Sequence, residues 1–209
     1  MGRVYMAVDF ENIDTNVWWT AAFVICHYPS GDILEEHLFY ADRSKHQIES
    51  DAIKCFWDNN IEAFEHNQSC ANREPLEEEK KMCLFIEDIK KRMPYFFLVS
   101  DHPTFDIHIL DDILVRHGKT IMSNRSPTMF RQPLDCWSYS LNLAHILNTS
   151  IKYINDHPRA LATSLRTDRW IYIKLHSEEY YYKHIALNDT YRMLVNFFRI
   201  LDITQACST

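Results

Sequence analysis

Glycine is scarce in this chain, at 3 of 209 residues, and proline contributes only 7. So few turn formers exclude collagen-like and low-complexity chains. Long apolar runs are missing as well: no stretch approaches the roughly 18 consecutive apolar residues of a membrane-spanning helix. The opening MGRVYMAVDF places Asp9 where a secretory signal would continue its apolar core. MGRVYM also lacks the Ser or Thr of a myristoylation signal. Basic residues are in deficit, with 22 Lys and Arg against 29 Asp and Glu, a net charge of −7. That balance argues against a tight nonspecific duplex binder, which displays a basic surface. It leaves nucleic-acid enzymes open, because bound cations invert the field of a carboxylate-rich site. The six cysteines, at 26, 55, 70, 83, 136 and 207, form no CxxC pair and no Cys/His set suited to zinc. They read as reduced thiols, several of them core residues, in a cytoplasmic protein.

What the chain does have is apolar mass: 46% hydrophobic residues, with 12 Phe, 11 Tyr and 5 Trp. This suits one domain over 1–209, burying roughly 70% of its extended-chain surface. RVYMAVDFE, TAAFVICHY and ILEEHLFYA predict three strands, the last two joined by the turn PSGD. A helix is expected over 45–59 and another over 74–93, with Pro75 in its first turn and EPLEEE loading its N-terminus with negative charge. YFFLVS predicts a buried strand, followed by a helix over 104–117 that has Thr104 as N-cap and Gly118 at its end. TIMS and WIYIKL are short strand candidates, NRSPTMFRQP a loop, and CWSYSLNLAHIL a helix. The last helix runs over 186–201. This order implies an α/β fold with one mixed sheet flanked by helices.

Three stretches carry the chemistry. In VDFEN, Asp9 and Glu11 stand two apart on a strand, so both leave the same face. Two carboxylates on a buried face repel and resist desolvation, and a divalent cation resolves both problems. A solvated strand end is the plainer explanation. In SDHPTFDIHILDDIL, Asp106 heads the stripe of Ile109, Leu110 and Ile113. It serves either a site or simply the helix dipole. In KHIALND, His184 and Asp189 are five apart, about 500° of helix, and would point about 140° from one another. They meet only if His184 precedes the helix and Asp189 opens it. Asp189 then heads a stripe of Met193, Phe197 and Ile200. Taken alone, a histidine in a chain with 11 of them is more simply a structural or surface residue.

Together, VDFEN, HPTFDIHIL and KHIALND resemble the three motifs of the DEDDh family, the DnaQ-like 3′–5′ exonucleases of the RNase H-like fold, and most of all its RNase T and phage exonuclease A branch. Asp9 and Glu11 match the first motif, Phe105 and Asp106 the second, and His184, Ala186 and Asp189 the third. IKCFWDNNIEAFEH resembles the Trp-containing helix of the phage branch. The resemblance implies hydrolysis of single-stranded RNA or DNA from its 3′ end to nucleoside 5′-monophosphates. It implies two Mg²⁺ or Mn²⁺ ions about 3.5–4 Å apart, held by Asp9, Glu11, Asp106 and Asp189, with His184 as general base. Phe10, Asn12 and Ile13 would cradle the terminal nucleotide, and His102 and Thr104 would reach a phosphate. Trp57 would be an aromatic platform or a core residue. A homodimer lending basic surface is implied by the same likeness.

VDFEN with LVSDHPTFD also resembles PIN/NYN-type metal endonucleases. That reading favours Asp101, needs no histidine, and leaves KHIALND unexplained. A catalytically silent, nucleic-acid-binding relative is the third alternative.

Overall fold

The computed structural model describes residues 3–93, 95–122, 134–146 and 184–206. β1 (Arg3–Asp14) and β2 (Val17–Tyr28) form an antiparallel hairpin. It turns at Thr15 and Asn16, where Asn16 takes a left-handed φ of 57° that asparagine tolerates. β3 (Ile33–Tyr40) adds antiparallel to β2, while β4 (Phe97–Ser100) lies parallel to β1 and β5 (Leu134–Asp135) parallel to β4. The sheet order is β3-β2-β1-β4-β5. With helices on both faces, this is an RNase H-like α/β fold.

Alternation along β1 divides the core. Met6, Val8 and Phe10 point to one face, where α3 (Pro75–Arg92) supplies Met82, Phe85 and Ile86. On the same face α4 (Pro103–Arg116) supplies Ile109, Leu110 and Ile113. Phe23 meets Phe10, Phe39 and Phe85 edge to face at 5.4–6.1 Å between centroids. Full burial of each such ring contributes roughly 1.5–3 kcal/mol. Tyr5 and Ala7 point to the other face, against Tyr191, Leu194, Phe197 and Phe198 of the terminal helix α6 (Ala186–Ala206). Because side chains alternate with period two, Asp9 and Glu11 continue the α6 face.

Three local expectations are corrected. The helix predicted over 45–59 is shorter and is followed by a second, unforeseen one: α1 (Asp51–Asp58), capped by Ser50, and α2 (Ile61–Cys70). The expected start is lost because Ser50 caps α1 by accepting the Ile53 amide at 3.4 Å, and α1 is separated from α2 by Asn59 and Asn60, whose side-chain amides bond back to the carbonyls of Cys55 and Phe56 at 2.7 and 2.8 Å. The N-cap of α4 is His102, not Thr104, because Pro103 already holds the first helical position. In TIMS, Thr120–Met122 form no strand. The Thr120 carbonyl accepts from Lys90 at 2.7 Å and the Met122 amide donates to Asp111 at 2.5 Å. Ser123 and the WIYIKL strand candidate lie outside the described residues. α5 (Cys136–Ile146) forms where CWSYSLNLAHIL predicted a helix. Among the described residues no helix is long and apolar enough to cross a membrane.

Candidate active site

The carboxyl ends of the parallel strands, where open α/β sheets place their ligands, collect acidic residues. Asp9 and Glu11 end the α6 face of β1, and across the hairpin they pair with Ala22 and Thr20, small side chains that leave space above them. Two residues beyond the paired Ala7 and Val99 stand Asp9 on β1 and Asp101 just past β4. Among the described residues, the buried Oδ2 of Asp9 has no hydrogen-bond partner. Burial, and then the charges of Glu11, Asp106, Asp189 and Asp101, hold the Asp9 carboxyl well above its usual range. Burial and the neighbouring Asp189 do the same to Glu11, with Arg192 opposing.

Asp106 arrives from the first turn of α4 and is 3% exposed. Its Oδ1 accepts the Phe10 amide at 3.1 Å, and its Oδ2 accepts the Ser100 hydroxyl. Burial pushes it up to about 6 against the pull of those two bonds. Asp101 is also raised to about 6, by burial first and by Asp189 among its neighbours.

His184 and Asp189 meet as the spacing requires. His184 precedes α6 in a left-handed turn with φ of 61°, and its backbone N–H donates to Asp189 Oδ2 at 2.8 Å. Asp189 sits in the first turn of α6 and is ion-paired with Arg192. One ligand atom each from Glu11, His184 and Asp189 lie within 4.8 Å of one another. Two hard oxygens, one imidazole nitrogen and the nearby unpartnered oxygen of Asp9 fit a divalent cation, which would offset the repulsion among these acids.

The implied substrate contacts divide. His102 and Thr104 are exposed at the start of α4. Asn12 is half-buried, and among the described residues both polar atoms of its side chain are buried without a partner. Phe10 and Ile13 are buried, at 4% and 5% exposure, so their side chains pack rather than line an open groove. Phe10 points to the opposite face of the sheet, and Ile13 joins Trp19, Trp57, Ala63 and Ile185. Trp57 is 2% exposed and donates from Nε1 to the Asn12 carbonyl at 3.1 Å. Its ring is a core residue, the second of the two roles that the sequence leaves open for it. The exposed ring beside the site is its neighbour Phe56, edge-on to His184 with centroids 4.6 Å apart.

Three contributors have no role in the sequence reading, Ser100, Phe56 and Asn67, while Asp101 enters it only through the endonuclease alternative. Asp101 was legible as an acid just past a parallel strand. Asn67, whose Nδ2 donates to the His184 carbonyl at 2.9 Å, left no local signal, because α2 itself was unforeseen.

No protein-family model matches the sequence, and no curated protein matches it. Solved structures do resemble it. The zinc-bound form of the E. coli ExoI–ssDNA complex aligns with a TM-score of 0.57 at 12% identity, over 98% of this chain and 41% of that one. A structure of exonuclease I aligns at 0.53 and 9% identity, over 96% of this chain and 41% of that one. The chain therefore spans about two fifths of the length of these structures, and at such identities the likeness is one of fold.

Proposed function

We propose that residues 1–209 act as one DEDDh-type, metal-dependent 3′–5′ exonuclease domain on single-stranded RNA or DNA, releasing nucleoside 5′-monophosphates. The observation that carries this reading is the convergence of Glu11, His184 and Asp189 within 4.8 Å, with Asp9 outside that trio but near enough for the charges of Glu11 and Asp189 to act on its carboxyl. The exonuclease I fold supports the reaction class, and the single-stranded DNA in the ExoI complex supports the substrate class.

Asp9, Glu11, Asp106 and Asp189 would hold two Mg²⁺ or Mn²⁺ ions, which supply charge neutralisation at the phosphate and a lowered pKa for water. The remaining work belongs to the chain. His184, on a turn outside the regular helix, takes the proton of the attacking water, a task suited to an imidazole near neutral pH. Ser100 and the Phe10 amide fix the rotamer of Asp106, so its carboxylate is aimed before substrate arrives. Phe56 presents the aromatic surface on which a terminal base can stack.

Asp101 is the observation that favours the alternative, an endonuclease of the PIN/NYN kind built on an acidic cluster alone. The antiparallel β1–β2 pairing at the centre of the sheet counts against it. A timed digest of matched 3′-labelled and 5′-labelled RNA and DNA single strands with Mn²⁺, including a 3′-phosphate-blocked strand and a circular strand, tests both. Stepwise loss from a free 3′ end supports the exonuclease. Cleavage of the circle overturns it.

A further inference from the structure

We infer that Asn67 is the positioning residue that holds His184 in its working conformation, an assignment that rests on the reading of His184 as the general base. α2 buries only two side chains, Ala63 and Asn67. Asparagine is a weak helix former, and here it stands 1% exposed with its Oδ1 buried and unpartnered. Among the described residues its side chain makes one hydrogen bond, from Nδ2 to the His184 carbonyl at 2.9 Å, which crosses 117 positions of sequence. On the other side of the same residue, the His184 N–H is held by Asp189 at 2.8 Å.

His184 is one of two non-glycine residues with positive φ among those described. The other, Asn16, is of a type that visits this region readily and lies in a hairpin turn. A left-handed histidine persists where its surroundings over-determine it. Asp189 and Asn67 do so by fixing the peptide groups before and after its Cα. Phe56, edge-on to the ring, bounds the imidazole. Ile185, buried in the cluster of Trp19, Trp57 and Ala63, seats the following residue. α1 and α2 thus bracket the turn, and Asn67 is their only polar grip on it among the described residues.

The test compares Asn67→Leu, which keeps the branched shape and loses the donor, with Asn67→Asp, which replaces the donor by a carboxylate. Each full-length variant is examined in two ways. NMR of histidine-labelled protein reads the backbone shifts of His184, assigned by their disappearance in His184→Ala. Kinetics on a 3′-hydroxyl oligonucleotide with Mn²⁺ are measured in the wild-type and His184→Ala backgrounds. The expected result is loss of the left-handed shifts, a fall in kcat of about 10-fold or more with KM within about 2-fold, and a further loss below about 2-fold in the His184→Ala background. Unchanged His184 shifts in both variants overturn the proposal. So does an equal fall in kcat in both backgrounds, the mark of a merely structural asparagine. Loss of the left-handed shifts with kcat unchanged upholds the anchor and overturns the base role of His184.

Discussion

The backbone amide of Phe10 donates to Asp106 Oδ1 at 3.1 Å, joining the middle of the first strand to the first turn of the fourth helix across 96 positions. Phe10 lies between Asp9 and Glu11, so this bond ties the Asp106 carboxylate to the backbone of the first acidic motif. With Ser100 on the other oxygen, Asp106 is locked from two elements. A carboxylate heading an apolar stripe is here more than a dipole partner.

Among the described residues, Asp9 is the acid with a buried, unpartnered oxygen. Asp9→Ala should abolish detectable hydrolysis, and isothermal titration with Mn²⁺ should show the metal affinity collapse with it. An unaltered titration isotherm would remove Asp9 from the metal site.

His184→Ala should keep the fold and the metal affinity while lowering kcat at least about 100-fold. The titration separates its two chemical roles. Retained affinity marks a base, whereas lost affinity marks a ligand, since its ring nitrogen lies within 4.8 Å of the Glu11 and Asp189 oxygens.

Burial raises Asp101 and Asp106 from 3.8 to about 6 in the fold. Between those values the native protein binds more protons than the unfolded chain. Their contribution is therefore full below about 4 and is lost as pH rises through about 6. Thermal melts in EDTA should give a lower Tm at pH 7.5 than at pH 5. The drop should shrink in Asp106→Asn, and Mn²⁺ should raise Tm more at the higher pH. Equal drops in wild type and variant would refute this account.

Asp101 stands just past the neighbouring parallel strand, level in register with Asp9. Asp101→Asn should weaken Mn²⁺ binding several-fold without ending hydrolysis. Complete loss of activity in this variant, paired with full activity in His184→Ala, would transfer the mechanism to the acidic-cluster endonuclease.

Trp57 and Phe56 are adjacent but differ in environment. Trp57→Ala opens a cavity among Trp19, Phe56 and Phe64 and should destabilise by about 3–5 kcal/mol in denaturant titrations. Phe56→Ala, at a ring 38% exposed, should leave stability nearly unchanged. It should raise KM for a single strand about 5-fold or more if the ring stacks on a base. A larger KM effect from Trp57 than from Phe56, at matched folded fraction, would reverse the assignment.

By itself the sequence determined the parts that depend on local periodicity. Alternation in RVYMAVDFEN put Asp9 and Glu11 on one face, and the helical stripes put Asp106 and Asp189 at the heads of buried ridges. The five-residue spacing required His184 to stand outside its helix, and it does. Only the tertiary structure decided what depends on partners distant in the chain. It buried Trp57 and exposed Phe56, set Asp101 near Asp9, and brought Asn67 to the His184 carbonyl. Strand and helix periods are written in a few neighbouring residues. Burial and hydrogen-bond partnership are settled by side chains that approach only when the sheet and its helices close on one another.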